Sequence, residues 1–503
     1  MKLPQLLVAL LLFFVLPIRA TELPDLGDVS QVTLSPRQEK DLGLQIMAEI
    51  RAHKDYLDDA EITGYLTILG NKLILGSREA RPDQDFEFFT VKDPAINAFA
   101  LPGGYMGFNT GLILAAQAES ELAGVMAHEI AHVTQKHLAR MIAGQKYNML
   151  VSLAAVALAV LASRTHPQIS EAVLVGSQAR HIQSQLDFTR DHEKEADRIG
   201  MNILVSAGFD PSGMVAFFEH LQKVGRFHEN GAPSYLRTHP ITYERIADIE
   251  NRMQQTSYRQ VPDSIDFQLV RAKVRPYLEK PADAVKYFDG ALRDKRYTNE
   301  AVERYGLVNA LLQDKKYARA DKELVYLYEA LTPRAFDQAV EGHRLGAAIR
   351  IQRKASLSSP MIETLAARVK MSVNQTAEAL DIYQAALKIY PQHRALVYDY
   401  ADAMLRTGGP DRALKFIGQQ LMFTPEDTRL YSLQAQAYGA VGNQMSQHRA
   451  QAEVYARQGK LPAAIEQLEI ALRTKDPDFY QASSVEARLR ELRELTASKS
   501  KAK

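Results

Sequence analysis

The 503-residue chain contains no cysteine. It therefore holds no disulfide, no thiol nucleophile and no N-terminal Cys to carry a lipid anchor. Net charge is nearly absent too: 61 Lys and Arg face 60 Asp and Glu, a formal +1. That balance leaves no electrostatic footprint for nucleic acid or for an anionic lipid surface. Long apolar runs are also missing beyond the first residues, where a membrane-crossing helix would need about 20. What remains, 46% hydrophobic and 24% charged residues, is the composition of a soluble globular protein. The length suggests two or three domains.

Residues 1–20 read as a signal peptide rather than as part of the fold. Lys2 supplies a positive start, Leu6 to Leu16 an apolar stretch, and Ile18-Arg19-Ala20 a small-residue cleavage site before Thr21. Export combined with the lack of cysteine points to the bacterial periplasm, because secreted eukaryotic domains of this size more often carry disulfides. One further apolar run, residues 149–162, is uncharged but shorter than a span. It reads as a core helix; the alternatives are peripheral membrane contact and a cover over the site.

Residues 21–260 read as a mostly helical domain with a small sheet. Ser35-Pro36 is an N-cap followed by proline at the first helical position. A second helix is expected over 57–75, a strand over 86–91, and a second β segment over Asn97 to Leu101. That segment returns through Pro102-Gly103-Gly104 toward Asn109 as a tight turn. Glu119 opens a helix expected to run through His137, and further helices are expected near 180–207, from Asp210, and over 242–256.

The first of these later helices carries the most informative motif, His128-Glu129-Ile130-Ala131-His132. Residues i and i+4 stand about 40° apart on a helix, so both imidazoles can reach one ion. Glu129 then lies beside a metal-bound water. Zinc lowers the pKa of such a water to about 7, and a carboxylate can accept its proton during attack on a peptide carbonyl. Chance gives this motif about 0.02 times in a chain of this composition.

Two histidines leave tetrahedral zinc one protein ligand short. Glu193, in Arg190-Asp191-His192-Glu193-Lys194-Glu195-Ala196-Asp197, supplies it best. Asp197 shares its helical face and suits the role of accepting the second N–H of a liganding histidine. Glu195 points about 200° away and is a poorer choice. His239, in Arg237-Thr238-His239-Pro240, admits three readings: an oxyanion stabiliser, a fourth ligand that caps the zinc, or a structural loop residue. Asn97 to Leu101 is either an edge strand that pairs with extended substrate or a plain structural strand. His137, nine residues after His128, falls on the opposite helical face and reads as surface. His181, His192 and His220 have no metal-spaced partner and read as non-ligands.

Residues 261–495 change texture to helical hairpins, with 496–503 as a disordered tail. Pro391 and Pro425 stand 34 residues apart. Ala367, Ala379, Tyr383 and Ala386 recur as Ala401, Ala413 and Ile417, with Gly408 at a turn; Ala435, Tyr438 and Gly442 begin another unit. Ala452, Ala464, Leu468 and Ala471 fit the last unit, and Ala272, Ala284, Phe288 and Ala291 an earlier copy. This period resembles the tetratricopeptide repeat, whose small residues let paired helices approach closely.

HExxH followed by ExxAD resembles the gluzincin-type peptidases that include the prenyl-protein (CAAX) endopeptidase and the bacterial heat-shock protease HtpX. The resemblance implies one Zn²⁺ per chain held by His128, His132 and Glu193, with Glu129 as base. The integral-membrane members carry several spans that this chain lacks. An exported member followed by tetratricopeptide repeats resembles the periplasmic branch that enhances β-barrel assembly, and residues 97–104 and 237–240 also resemble that branch. It implies a mainly α protein: a gluzincin-like α+β zinc protease domain and then an α-solenoid. It implies misassembled outer-membrane β-barrel proteins as substrates, and the barrel-assembly machinery as partner of the repeats. The rival reading is a periplasmic chaperone or scaffold with a structural or covered zinc site. A hydrolase of non-protein amides has no support beyond shared metal chemistry.

Overall fold

The computed structural model describes residues 35–81, 84–143, 190–227, 234–254, 260–331, 359–474 and 479–501. The expected signal peptide and the 149–162 segment lie outside the described residues, among which no helix is long and apolar enough to cross a membrane.

Helix α1 (Pro36–Ala52) starts with a reciprocal cap: the Ser35 hydroxyl accepts from Gln38 N–H, while the Gln38 side chain accepts from Ser35 N–H. Asp59 caps α2 (Ala60–Gly76) by accepting from the N–H groups of Glu61 and Ile62. Three strands follow, β1 (Glu87–Val91), β2 (Ala98–Leu101) and β3 (Tyr105–Asn109), in the order β1-β3-β2. β3 runs parallel to β1 and antiparallel to β2, with Phe99 opposite Gly107. The turn between β2 and β3 holds Gly103 and Gly104 at φ of 79° and 80°, where a Cβ is strained. Successive strand side chains face opposite sides. Phe88 accordingly enters the main core, while Phe89 packs on Ile46, Met47 and Ile50 of α1.

Beneath the sheet, α3 (Thr110–Ala115) leads into α4 (Glu119–Thr134), buried on every side from Glu119 to His132. Then come α5 (His137–Ala143), α6 (Arg190–Ser206), α7 (Ser212–Phe227), α8 (Ser234–Thr238) and α9 (Tyr243–Gln254). The α4 axis was expected to continue through His137. It stops instead at Thr134, because Lys136 takes a left-handed φ of 53° and redirects the chain.

Among the described residues the repeat region comprises six helix pairs. They are α10 (Ile265–Leu278) with α11 (Pro281–Arg293), α12 (Glu300–Gln313) with α13 (Tyr317–Leu331), and α14 (Pro360–Ser372) with α15 (Thr376–Ile389). Then follow α16 (Arg394–Arg406) with α17 (Pro410–Phe423), α18 (Thr428–Ala440) with α19 (Gln444–Arg457), and α20 (Leu461–Leu472) with α21 (Phe479–Lys501). Turn residues Asn374, Gly408 and Gly442, 34 positions apart, all take positive φ, of 61°, 76° and 76°. The alanines of the period, among them Ala367, Ala379, Ala401, Ala413, Ala435 and Ala464, are buried. The expected tail from 496 is corrected: α21 runs to Lys501, continuing a helix anchored by buried Leu489 and Leu492.

The core does not stop at the expected boundary near 260. One apolar cluster joins Leu66 and Leu69 of α2 and Leu122 of α4 to Phe267, Val270 and Tyr305 of the repeats. Buried Lys273 of α10 pairs with Asp59, at 2.7 Å, and with Glu61 at the start of α2. Arg368 of α14 reaches Glu61 at 3.1 Å. Burial alone would raise the Asp59 carboxyl; Lys273 and Arg368 outweigh it and hold it well below its ordinary range.

Candidate metal centre

His128 and His132 stand one turn apart on α4, with their Nε2 atoms 3.0 Å from each other. Helix α6 crosses close enough to bring Glu193 opposite them, and Gly200 makes that crossing feasible. A Cβ at Gly200 would lie 3.0 Å from the His128 backbone nitrogen. Glu193 Oε1 lies 3.4 Å from His132 Nε2, and Oε2 3.6 Å from His128 Nε2. His239 Nδ1 closes the group, 3.0 Å from Glu193 Oε1 and 3.4 Å from His128 Nε2. All four residues are buried and offer donor atoms within 4.8 Å of one another.

The chemistry of the donors, three imidazoles and one carboxylate, discriminates among ions. Donors about 2.0–2.2 Å from a tetrahedral ion stand about 3.3–3.6 Å apart, close to the distances found here. Calcium takes six to eight oxygens at about 2.3–2.6 Å, a poor match for three imidazoles and one carboxylate. The residues fit a small tetrahedral, nitrogen-preferring ion.

Asp197 Oδ1 stands 3.0 Å from His128 Nδ1, on the far side of that ring from the cluster. Arg245 of α9 grips Asp197 with two bonds of 2.7 and 2.8 Å and reaches Glu193 at 2.7 Å. Burial would raise both acids. Arg245 and His128 outweigh it at Asp197, and His239, His128 and His132 outweigh it at Glu193, so both stay ionised. Burial would lower His128, yet the Asp197 and Glu193 carboxylates push it up to about 9. His132 is held well below its ordinary value by burial.

Glu129 differs from the other acids. Both its carboxylate oxygens are buried without a hydrogen-bond partner among the described residues. His239 Nε2 stands 3.5 Å from Oε1. Burial raises its pKa. A carboxylate left this way faces a missing polar group, as a base beside a reacting water would.

His239 follows α8, whose Tyr235 N–H donates to Ile96 O at 3.2 Å, just before β2. Tyr235 is buried and stacks on His239, with centroids 4.7 Å apart and planes at 27°. β2 has β3 as its strand partner, so its other edge is unpaired among the described residues. The Asn97 side chain beside it is buried, and its Oδ1 has no hydrogen-bond partner among the described residues.

The surface reading of His137 is overturned. After the break at Lys136 the side chain turns back into the protein, is fully buried, and meets His132 Nδ1 through its own Nδ1 at 2.8 Å. Its Nε2 lies 3.1 Å from Glu195 Oε2, which Arg140 also holds at 2.9 Å. His192, read as a non-ligand, stacks on His137 with planes at 17°. His181 lies outside the described residues. Arg245 belongs to no motif of the sequence, yet it holds both acids of the site. The available signal was its place on the apolar stripe of α9, four residues before buried Ile249.

The model of peptidase family M48 matches residues 63–253, and a tetratricopeptide repeat model matches 371–437. The beta-barrel assembly-enhancing protease of Escherichia coli strain K12 is 30% identical over 484 residues, covering 95% of this chain and 92% of that one. The chain belongs to peptidase family M48, in the group of the beta-barrel assembly-enhancing proteases. The protein of that name from Yersinia pestis is 29% identical over 479 residues, 94% of this chain and 92% of its own. Mitochondrial metalloendopeptidase OMA1 of Schizosaccharomyces pombe is 32% identical over 169 residues, 33% of this chain and 47% of its own. This M48 member is thus a metalloprotease, mainly α-helical, whose peptidase domain precedes repeats suited to binding a substrate or partner.

Proposed function

We propose that the protein is an exported, zinc-dependent endopeptidase acting on unfolded or misassembled outer-membrane β-barrel proteins in the periplasm. The observation that carries the chemistry is the buried quartet of donor atoms beside the Glu129 carboxylate, which has no hydrogen-bond partner among the described residues. The name shared by the relatives supports the substrate class; the cysteine-free sequence and its apolar start support the compartment.

His128, His132 and Glu193 would hold the ion. Zinc bound there supplies Lewis acidity toward the scissile carbonyl and a water of lowered pKa. Glu129 takes the proton from the attacking water and returns it to the leaving amine; a pKa raised by burial suits a base that must give its proton back. Asp197 holds His128 from behind, and Arg245 keeps both acids charged. The unpaired edge of β2 would add the substrate as a strand, reading backbone rather than sequence. His239 Nδ1 lies against the same donors, so a His239 that held the ion as a fourth ligand would have to withdraw its ring for hydrolysis.

The repeats would recruit substrate or the barrel-assembly machinery. A cavity of about 1220 Å³ between α2, α16 and α18, with Glu61, Arg394, Asp399 and Arg429 in its wall, supports that role. The same His239 geometry favours one second reading, a chaperone or scaffold whose metal site stays covered. A quenched unfolded-protein assay with and without chelator separates the two. Chelator-sensitive cleavage that Glu129→Gln abolishes, while zinc is retained, is expected of the peptidase; cleavage unchanged in Glu129→Gln would remove Glu129 from the mechanism.

A further inference from the structure

We propose that His137 and Glu195 form a hydrogen-bonded relay that decides which nitrogen of His132 carries its proton, and so aims the other at the metal. The relay rests on the reading of His132 as a ligand.

The direction of each bond follows from donor and acceptor capacity. An ionised carboxylate only accepts. Glu195 Oε2, 3.1 Å from His137 Nε2, therefore requires that nitrogen to carry a proton. A neutral imidazole has one donor and one acceptor, so His137 Nδ1 accepts. Its partner at 2.8 Å is His132 Nδ1, which must donate. The lone pair of His132 is thereby left on Nε2, the atom facing His128 and Glu193. A histidine free in water prefers its proton on Nε2, which would block coordination; the relay reverses that preference.

The rest of the group keeps the relay in register. Arg140 holds the same Glu195 oxygen at 2.9 Å. His192 lies flat on the His137 ring with centroids 4.4 Å apart, fixing its plane. The two ligand histidines are thus backed differently: His128 faces the Asp197 carboxylate directly, whereas His132 reaches Glu195 through an intervening imidazole. His137 and Glu195 act as positioning residues, since neither belongs to the donor quartet.

Zinc affinity by chelator competition, with the d–d spectrum of the cobalt-substituted protein, tests the relay on the full chain. His137→Phe keeps a ring against His192 but accepts no proton. Glu195→Leu removes the carboxylate, and Glu195→Gln retains an acceptor. His137→Phe and Glu195→Leu are each expected to weaken zinc binding about 10- to 100-fold and to alter the cobalt spectrum, as loss of a supporting bond to a ligand does. Glu195→Gln should recover most of that loss. The double variant should bind no more weakly than His137→Phe, because one relay is broken once. Should His137→Phe fail to fold, partly exposed Glu195 carries the test through its Leu and Gln variants. Parental affinity in Glu195→Leu, or losses that multiply in the double variant, would overturn the relay. His132→Ala is measured in parallel: if it too binds zinc normally, the ligand assignment itself has failed.

Discussion

Ser264 donates its backbone N–H and its hydroxyl to the carboxylate of Glu119, at 2.9 and 2.7 Å. Glu119 opens α4, which carries the candidate ligands, and Ser264 caps α10, the first repeat helix. The exchange is mutual, because Glu119 N–H donates to Asp263 at 2.7 Å. Tyr65 of α2 gives its hydroxyl proton to the same Glu119. The two regions therefore begin their key helices on each other, and share one apolar core besides.

From that junction, Ser264→Ala should lower stability by about 1–3 kcal/mol, losing a cap and a bond to a charged acceptor. Because the core is continuous, peptidase and repeat regions should melt together. Calorimetry would show one transition moved downward. Two transitions of which one alone shifts would contradict a shared cooperative unit.

Gly200→Ala addresses the approach of α6 to α4. The added methyl would press on the His128 backbone at 3.0 Å, and neither helix can yield cheaply there. The expected cost is about 1–3 kcal/mol of stability, with weaker zinc retention because Glu193 is pushed from the histidine pair. Chelator titration and thermal melts check both. An unchanged melt would show that the helices separate freely.

His239→Ala distinguishes the readings of that residue. If the ring occupies the corner needed by water, the variant should keep its zinc and cleave an unfolded protein faster than the parent. An oxyanion stabiliser would instead lose about 100-fold or more in kcat on removal. Steady-state kinetics at matched zinc content gives the sign.

Zinc binding should depend on pH. Without metal, His128 is pushed up to about 9 by its carboxylate neighbours against burial, so at neutral pH a proton occupies the nitrogen that must coordinate. His132 is held well below its ordinary value and Glu193 well below its own, so neither binds a proton in this range. Apparent affinity should rise about tenfold per pH unit from pH 7 toward 9 and level off above, with about one proton released per zinc at pH 7. Calorimetric titration in buffers of different ionisation enthalpy reads the proton count. An affinity flat across that range would remove His128 as the competing site.

Much of the molecule is local and could be read from the chain. The i, i+4 spacing of His128 and His132 puts two imidazoles on one face wherever the helix lies, and Glu193 and Asp197 share a face for the same reason. Gly103 and Gly104 mark the β2–β3 turn because few other residues accept those angles. The 34-residue recurrence from Asn374 through Gly408 to Gly442 marks turns by the same constraint.

Tertiary structure decided what periodicity could not reach. His137 reads as surface only if α4 continues, and one left-handed residue, Lys136, sends it inward against His132. Arg245 is one charge among many along the chain until packing of α9 presses it between Asp197 and Glu193. The boundary near 260 separates two sequence textures without separating two cores. Backbone angles and helical faces are set by neighbours a few residues away, whereas a buried contact needs the whole chain to exclude water around it.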